Sequence, residues 1–190
     1  AYTSDNKPIK FKYVVVSADD LITSNNPDGS INPAYPQELQ PRDRTRAASL
    51  TQIKKMANNI IPEKLSESAS VSDGAPIIGS DGVVESGNGR VLALKQMYDS
   101  GKSDKYVEFI KNNAERFGIK GDLPDRPVLV RLRTTDVDRA EFARQANESP
   151  ISAMSATEKA KTDAQRLTPE ILNLLVPNDE GQINTTDNKD

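Results

Sequence analysis

The chain has 190 residues, 28% of them charged, with a formal net charge of −3. This length suits one domain with a hydrophobic core. No apolar run reaches the roughly 18 residues that a membrane-spanning helix needs. The acidic net charge argues against indiscriminate nucleic-acid binding. Cysteine and histidine are absent, which excludes disulfides, thiol nucleophiles, histidine bases and Cys/His zinc sites, so that a metal would need oxygen ligands, as Mg²⁺ does.

The N-terminal part begins with a predicted strand over 10–16, where alternation gives way to a run of valines. A loop rich in Asp, Asn, Gly and Pro follows, so we predict little regular structure before residue 45. Three arginines alternate from Arg42 to Arg46, and on extended backbone they would form a basic ridge. The alternative is a solvated charge cluster that Asp43 partly balances.

The middle of the chain predicts a helix and a hairpin. Apolar residues recur at helical spacing over 49–61, and Pro62 stops this helix or starts a turn. After a small, polar loop over 66–74, two short apolar runs, Pro76–Gly79 and Val83–Val84, are separated by turn residues and predict the hairpin.

The chemistry is expected between Asp81 and Tyr98. Ser86–Gly89 favours a tight loop, because it contains two glycines and an asparagine, and a helix is predicted from Arg90. A strand, a glycine loop and a helix together direct free backbone N–H groups at an anion. A cation in the first turn opposes the helix dipole unless a phosphate binds there. The alternative is a plain turn, with Arg90 pointing to solvent.

Glycine and proline residues separate the helices and the strand that are predicted after the central helix. Gly101 is predicted to end the central helix, and a second helix follows over 104–117. The strand predicted over 127–133 carries alternating arginines that are expected to point outward. Asp136 or Asp138 then caps a helix that ends near Ala146.

The C-terminal part predicts two more helices and a tail. A capping box opens a helix over about 155–167, and a short helix follows over 170–176. After Pro177 the residues have almost nothing to bury, so disorder is expected.

Four motifs keep the order and spacing of a known family. They are Gln40-Pro41-Arg42, Pro76-Ile77-Ile78, Gly87-Asn88-Gly89-Arg90 and Ala146-Asn147-Glu148-Ser149. The chain thereby resembles the ParB/sulfiredoxin superfamily, and more narrowly the DdrB-like ParB domain of large phage and plasmid proteins, many of them antirestriction-associated. The resemblance implies a compact α/β (α+β) fold with a small mixed β-sheet and surrounding helices. It implies an N-terminal extension over 1–9, the domain over 10–167, and a short helix and tail over 168–190.

The resemblance also implies a pocket for CTP or ATP with Mg²⁺. The nucleotide-binding residues that it implies are Gln40, Arg42, Ser86, Gly87, Asn88, Gly89, Arg90 and Asn147. The implied metal ligands are Asn147, Glu148 and Glu85. Arginines and backbone amides suit phosphate oxygens, and an oxygen donor pair suits Mg²⁺.

The chain departs from the family pattern in three ways. The family's Gly-Glu-Arg-Arg is here Gly87-Asn88-Gly89-Arg90, which weakens a hydrolytic role and leaves catalytic residues unassigned. Sulfiredoxin activity needs a cysteine, which is absent. No helix-turn-helix is evident near the C-terminus, so sequence-specific DNA reading is not expected. A weak nucleoside triphosphatase or a nuclease are the enzymatic options.

The resulting expectation is a nucleotide-binding module of a larger phage- or plasmid-encoded protein, in the bacterial cytoplasm or associated with the virion. The start at Ala1 rather than Met agrees with an excised piece. Expected partners are a nucleoside triphosphate, other domains of the parent polypeptide, DNA through flanking domains, and a second copy in a homodimer, with no membrane. The alternatives are an Mg²⁺-dependent DNA nuclease using Asp81, Glu85 or Glu148, and a structural or protein-interaction module that has lost the ligand.

Overall fold

A computed structural model describes residues 1–39 and 47–147, with the backbone alone for 47–49 and Asn147. All of them belong to one compact unit, Ala1–Ser149. The predicted helices over 155–167 and 170–176, and the predicted tail, lie outside the described residues. Among the helices of the described part, none is long and apolar enough to cross a bilayer.

Four strands of the described chain form one mixed sheet in the order β1-β4-β2-β3. The strands are β1 Phe11–Ser17, β2 Ile77–Ile78, β3 Val84–Ser86 and β4 Pro127–Arg133. β1 runs antiparallel to β4, β4 parallel to β2, and β2 antiparallel to β3. This topology confirms the predicted α/β class with a small mixed sheet, and β2 with β3 is the predicted hairpin.

Four α-helices surround the sheet in the described part. They are α1 Ala47–Asn58, α2 Asn88–Asp99, α3 Asp104–Asn113 and α4 Arg139–Asn147. Short 3₁₀ helices occur at Ala18–Asp20, Gln37–Leu39 and Pro62–Leu65. The order of helices and strands within this part follows the predicted order.

The observed ends of two helices differ from the predicted ones. α1 ends at Asn58 rather than residue 61, because Ile61 precedes a proline and adopts an extended conformation, with φ −110° and ψ 101°. α3 ends at Asn113 rather than residue 117, and a turn leads to Gly118 at φ 68°. In both places a turn ends the helix several residues before the last apolar residue of the helical pattern.

The C-terminus of α2 confirms the stop predicted at Gly101. Gly101 adopts φ 68°, and its N–H donates to the Tyr98 carbonyl at 3.0 Å. The N–H of Lys102 donates to the Met97 carbonyl at 3.1 Å. These two bonds form a Schellman motif, which satisfies carbonyls that the helix end would otherwise leave unpaired.

α2 lies in the centre of the structure and is buried on two sides. Leu92 and Ala93 pack with Ile53 and Ala57 of α1. Three further residues of α2, Val91, Leu94 and Met97, belong to the main hydrophobic core together with residues of the sheet and of α3. Because both sides are packed, the start of α2 is held in a fixed position relative to the sheet.

The prediction that the arginines of β4 point outward is wrong. Arg131 has no exposed surface, and Arg133 is mostly buried, with 14% of its side chain exposed. The alternation correctly places the two arginines on one face of β4. That face is covered by the Ser68–Ala75 segment, which supplies carbonyl acceptors, and by α4, which supplies an aromatic ring. Such contacts between distant segments cannot be predicted from the local sequence.

Candidate functional site

The turn between β3 and α2 consists of one residue, Gly87. Gly87 adopts φ 90° and ψ 26°, in the left-handed region that favours glycine. The predicted loop over Ser86–Gly89 is therefore too long, because Ser86 ends β3 and Asn88 begins α2. A Cβ atom at Gly87 would lie 2.7 Å from Nε and Nη2 of Arg90. Glycine is favoured here by its backbone conformation, and a Cβ atom would require the Arg90 guanidinium to move.

The N-cap of α2 is a glycine and supplies no side-chain cap. The Gly87 carbonyl accepts the bond from Val91 N–H at 3.0 Å. The N–H groups at the start of a helix point out of the helix end, where the helix dipole also favours negative charge. The predicted relationship of strand, glycine turn and helix is present.

Arg90 folds back over this turn and does not extend into solvent. Its Nη2 donates to Ser86 Oγ at 3.3 Å, and its Nη1 donates to the carbonyl of Gly74. The side chain also borders a cleft of about 340 Å³. The residues lining that cleft are Lys64, Glu67, Ser68, Asp73, Gly74 and Arg90. Arg90 is thus placed between the helix start and a solvent-filled space.

The charges around this cleft are mixed. Lys64 and Arg90 are cations, while Glu67 and Asp73 are acids. The carboxylate of Glu67 forms an ion pair with Arg116 outside the cleft. That pairing offsets one of the two negative charges of the cleft lining. Lys64 was not predicted from the sequence, because it lies in a short 3₁₀ helix with no motif around it.

Arg131 is a second residue that sequence reasoning missed. Its buried guanidinium donates to the carbonyls of Ala75 at 2.8 Å and Ser70 at 2.9 Å, and also to that of Asp73. Burial lowers the pKa of Arg131 to about 10, so the side chain stays charged at neutral pH. No carboxylate of the described residues forms an ion pair with it. Arg131 therefore fixes the segment that lines the cleft and adds positive charge beneath it.

Asn88 uses its side chain inside the protein. Its Oδ1 accepts from Ser24 N–H at 2.8 Å, and its Nδ2 donates to the Val84 carbonyl at 3.2 Å and to the Tyr35 hydroxyl at 3.4 Å. Asn88 was predicted to belong to a phosphate-binding loop. With the side chain engaged in this way, its contribution to such a site would come from its backbone N–H.

The segments next to the other predicted motifs meet close to this turn. The Tyr35 hydroxyl donates to the Val84 carbonyl at 2.8 Å, and Tyr35 packs in one cluster with Leu39, Val83 and Ala143. Leu39 directly precedes Gln40, and Ala143 lies on α4 four residues before its last residue. The predicted site residues Gln40, Arg42 and Glu148 lie outside the described residues, as does the side chain of Asn147. Their described neighbours, however, share one cluster.

Glu85, a predicted metal ligand, is completely buried and paired with arginines. Arg133 donates to both of its carboxylate oxygens, at 2.7 Å and 2.9 Å, and Arg139 Nε donates to Oε1 at 2.7 Å. Arg139 also forms two hydrogen bonds with Asp81, at 2.7 Å and 2.8 Å, and thereby holds the pKa of that carboxyl below its ordinary value. The charge of Glu85 is thus balanced within the chain.

A metal site made only of protein groups is not seen in residues 1–39 and 47–147. These residues contain no group of three acids placed to hold a metal ion. A Mg²⁺ ion usually keeps several waters and is bound through one or two carboxylates together with substrate phosphates.

Comparison with known proteins agrees with this architecture. The sequence matches the family model of the ddrB-like ParB superfamily domain over residues 4–134. Searches among curated proteins and among solved structures found no significant match. The matched region contains the whole sheet, the Gly87 turn and the cleft beside Arg90, and it covers more than half of the chain. The chain therefore belongs to the ddrB-like ParB superfamily domain family.

Proposed function

We propose that this domain binds a nucleoside triphosphate with Mg²⁺, with the phosphates at the start of α2. The observation that carries the proposal is the position of Arg90, whose guanidinium lies over Gly87 and borders the cleft. A helix that starts at a glycine N-cap, with an arginine in its first turn that borders a cleft, is an arrangement that favours phosphate oxygens. CTP and ATP are the nucleotides expected from the family.

Binding would change the partners of Arg90. Its contact with the Ser86 hydroxyl, at 3.3 Å, is long for a hydrogen bond donated by a guanidinium. A phosphate oxygen would offer a charged acceptor, and charge-assisted bonds are shorter and stronger. Lys64 adds a second cation to the lining of the cleft. Exchange of the Ser86 contact for a phosphate contact therefore favours binding.

The remaining parts of the proposed site are the Arg42–Arg46 segment and the Asn147–Glu148 pair. Leu39 and Ala143, which lead into these segments, pack in one cluster with Tyr35. Tyr35 is hydrogen-bonded to Val84 just before the Gly87 turn. This arrangement supports a site in which Asn147 and Glu148 hold Mg²⁺. The bound nucleotide would order the Arg42–Arg46 segment. That ordering would change how neighbouring chains or domains associate.

The setting that we propose follows the family. The domain would be one module of a larger phage- or plasmid-encoded protein, working in the bacterial cytoplasm, with nucleotide binding coupled to assembly or to a DNA-related function of flanking domains. We do not extend the proposal to nuclease chemistry at Glu85, because both of its carboxylate oxygens accept hydrogen bonds from arginines.

The test is isothermal titration of the folded protein with CTP, ATP and GTP, each with Mg²⁺. Arg90→Gln and Lys64→Ala are expected to weaken binding. Lys12→Ala, which removes an exposed cation from β1, is the matched control and is expected to bind as the wild type does. Equal weakening in all three variants would indicate general electrostatic attraction instead of this site.

A second candidate function is a structural or protein-interaction module without a ligand. It is favoured because polar side chains at the turn already form hydrogen bonds within the protein. Asn88 accepts a hydrogen bond from Ser24 N–H and donates one to the Val84 carbonyl, and Ser86 Oγ donates to the Val71 carbonyl at 2.7 Å. In that case none of the three nucleotides would bind. Arg90→Gln would then alter only the free energy of unfolding.

A further inference from the structure

Within residues 1–39 and 47–147, no strand pairs with the outer edge of β1. β1 lies at one end of the sheet and pairs with β4 through all seven of its residues. No residue of the described chain pairs with its other edge. The opposite end of the sheet is protected, because Ile22 forms a parallel bridge with Val83 beside β3. β1 therefore presents a row of N–H and C=O groups available to another strand.

β1 is well suited to accept another strand. It has seven residues with an uninterrupted register, contains no proline, and carries three consecutive valines from Val14 to Val16. These valines are half-buried, in contrast with the fully buried Val128 and Val130 of the neighbouring β4. β-branched residues favour strand pairing, and natural edges of this kind are usually shortened, bulged or covered.

The charges at the two ends of β1 are opposite in sign. Lys10 and Lys12 lie at its start, and Asp19 and Asp20 follow its end. All four are exposed. Lysines on an edge strand normally discourage pairing with other strands. An antiparallel pairing of two copies, however, brings the basic end of one strand next to the acidic end of the other, so that the same lysines become attractive.

We propose that β1 pairs antiparallel with β1 of a second copy of this chain, across a two-fold axis at Val14. The two four-stranded sheets would then form one continuous eight-stranded sheet. In this register Tyr13 faces Val15 of the second copy, an aromatic and β-branched pair of the kind that stabilises sheets. Lys10 lies opposite Ala18 of the second copy, close to Asp20 and to Asp19, which is also paired with Arg126 of its own chain.

In this register neither Lys10 nor Lys12 lies directly opposite a charged residue of the second copy. Lys12 faces Val16 of the second copy, and Val14 faces itself. Shifts of the register would either shorten the paired region or move Lys10 away from the aspartates. The proposal concerns a surface away from the Gly87 turn and does not depend on nucleotide binding.

The test is sedimentation velocity over a concentration series with five proteins. The wild type is expected to show a monomer–dimer equilibrium. Lys10→Glu and Asp20→Lys are each expected to raise the dimer dissociation constant by roughly tenfold or more, because each places like charges together. The double variant Lys10→Glu/Asp20→Lys is expected to restore dimerisation, because it reverses both partners of the pair. Lys55→Glu, on the exposed face of α1, is the control and should dimerise normally.

Hydrogen exchange adds a residue-level readout. Alternate amides of Phe11–Ser17 are expected to become protected as the protein concentration rises. A wild type that stays monomeric at its highest soluble concentration would overturn the proposal. So would a dimer that is unaffected by the two single variants, or a double variant that fails to recover.

Discussion

Arg133 and Glu85 form a two-point ion pair that joins the central strand β4 to β3: Nε of Arg133 lies 2.7 Å from Oε2, and Nη2 lies 2.9 Å from Oε1. Glu85 has no exposed surface, and Arg139 from the first turn of α4 also donates a hydrogen bond to its carboxylate. The sheet and α4 are thus connected through one buried carboxylate. This carboxylate has a structural role that the sequence did not reveal.

Removal of the Glu85 carboxylate should destabilise the fold. Glu85→Ala leaves two arginines near a buried position without their acidic partner, and breaking a buried ion pair in this way costs about 3–5 kcal/mol. Urea denaturation at neutral pH measures this loss. Glu141→Ala is the control, because Glu141 pairs with Arg144 on the exposed surface of α4 and its removal should change the free energy of unfolding much less. Similar losses in both variants would contradict the structural role of Glu85.

Asp81 should contribute a pH-dependent part of the stability. Arg139 lowers the pKa of Asp81, so its stabilising effect is present above the unfolded-state pKa of about 3.9 and is lost as the pH falls through the lower, folded-state value. About half of the Asp81 side chain is exposed, so the wild type should exceed Asp81→Asn by no more than about 1 kcal/mol at pH 7.

Denaturation curves of the wild type and Asp81→Asn between pH 7 and strongly acidic conditions test this sign. The difference in the free energy of unfolding is expected to shrink on the acid side of the unfolded-state pKa. A difference that grows as the pH falls would show that the pKa of Asp81 is raised in the folded state instead.

Arg131 should be essential for the segment that borders the cleft. Arg131→Met keeps an apolar stem but leaves the carbonyls of Ser70, Asp73 and Ala75 without this donor. Each lost bond costs about 1 kcal/mol or more, so a total of about 3 kcal/mol is expected. Hydrogen exchange in 66–76 should accelerate. Arg116→Met, at an exposed ion pair, serves as the control, and an unchanged exchange pattern in Arg131→Met would refute the assignment.

The sequence predicted those parts of the fold that depend on local patterns. β4 matches its predicted bounds, β1 is displaced by one residue, and Gly101 ends α2 as expected. Periodicity, β-branched residues and glycine at a helix end are local signals that depend on a few neighbouring residues. These signals predict structure reliably because they do not depend on contacts with distant segments.

The site was predicted less completely, because it depends on distant contacts. Alternation identified the arginines of β4 but could not show that their face is covered. Asn88 is a common turn residue, and only the fold reveals that it bonds Ser24, 64 positions away. Lys64 and Arg131 belong to no motif. Lys64 lines the cleft from a short 3₁₀ helix, and Arg131 holds the Ser68–Ala75 segment beside it through carbonyl contacts.

The glycine at the turn should be distinguishable from an ordinary helix-end glycine. Gly87→Ala introduces a Cβ atom at φ 90° that meets the guanidinium of Arg90 at 2.7 Å. Gly101→Ala introduces one at φ 68° with open space around it. Both variants should lose about 1–2 kcal/mol of stability from the left-handed backbone.

Nucleotide binding should separate these two variants. Gly87→Ala displaces Arg90 and is expected to abolish the heat of triphosphate binding, while Gly101→Ala is expected to bind as the wild type does. Equal binding by both proteins would show that Arg90 is not held in place for a ligand by Gly87.

The most direct measurement is a calorimetric titration of Mg²⁺ with CTP and with ATP into the wild type and into Arg90→Gln, after circular dichroism has shown both to be folded. Saturable binding by the wild type is expected, with a dissociation constant that rises by about tenfold to a hundredfold in the variant, since a charge-assisted bond to phosphate contributes about 1.5–3 kcal/mol. Absence of heat for the folded wild type with either nucleotide, or equal affinity in the two proteins, would contradict a phosphate site at the start of α2.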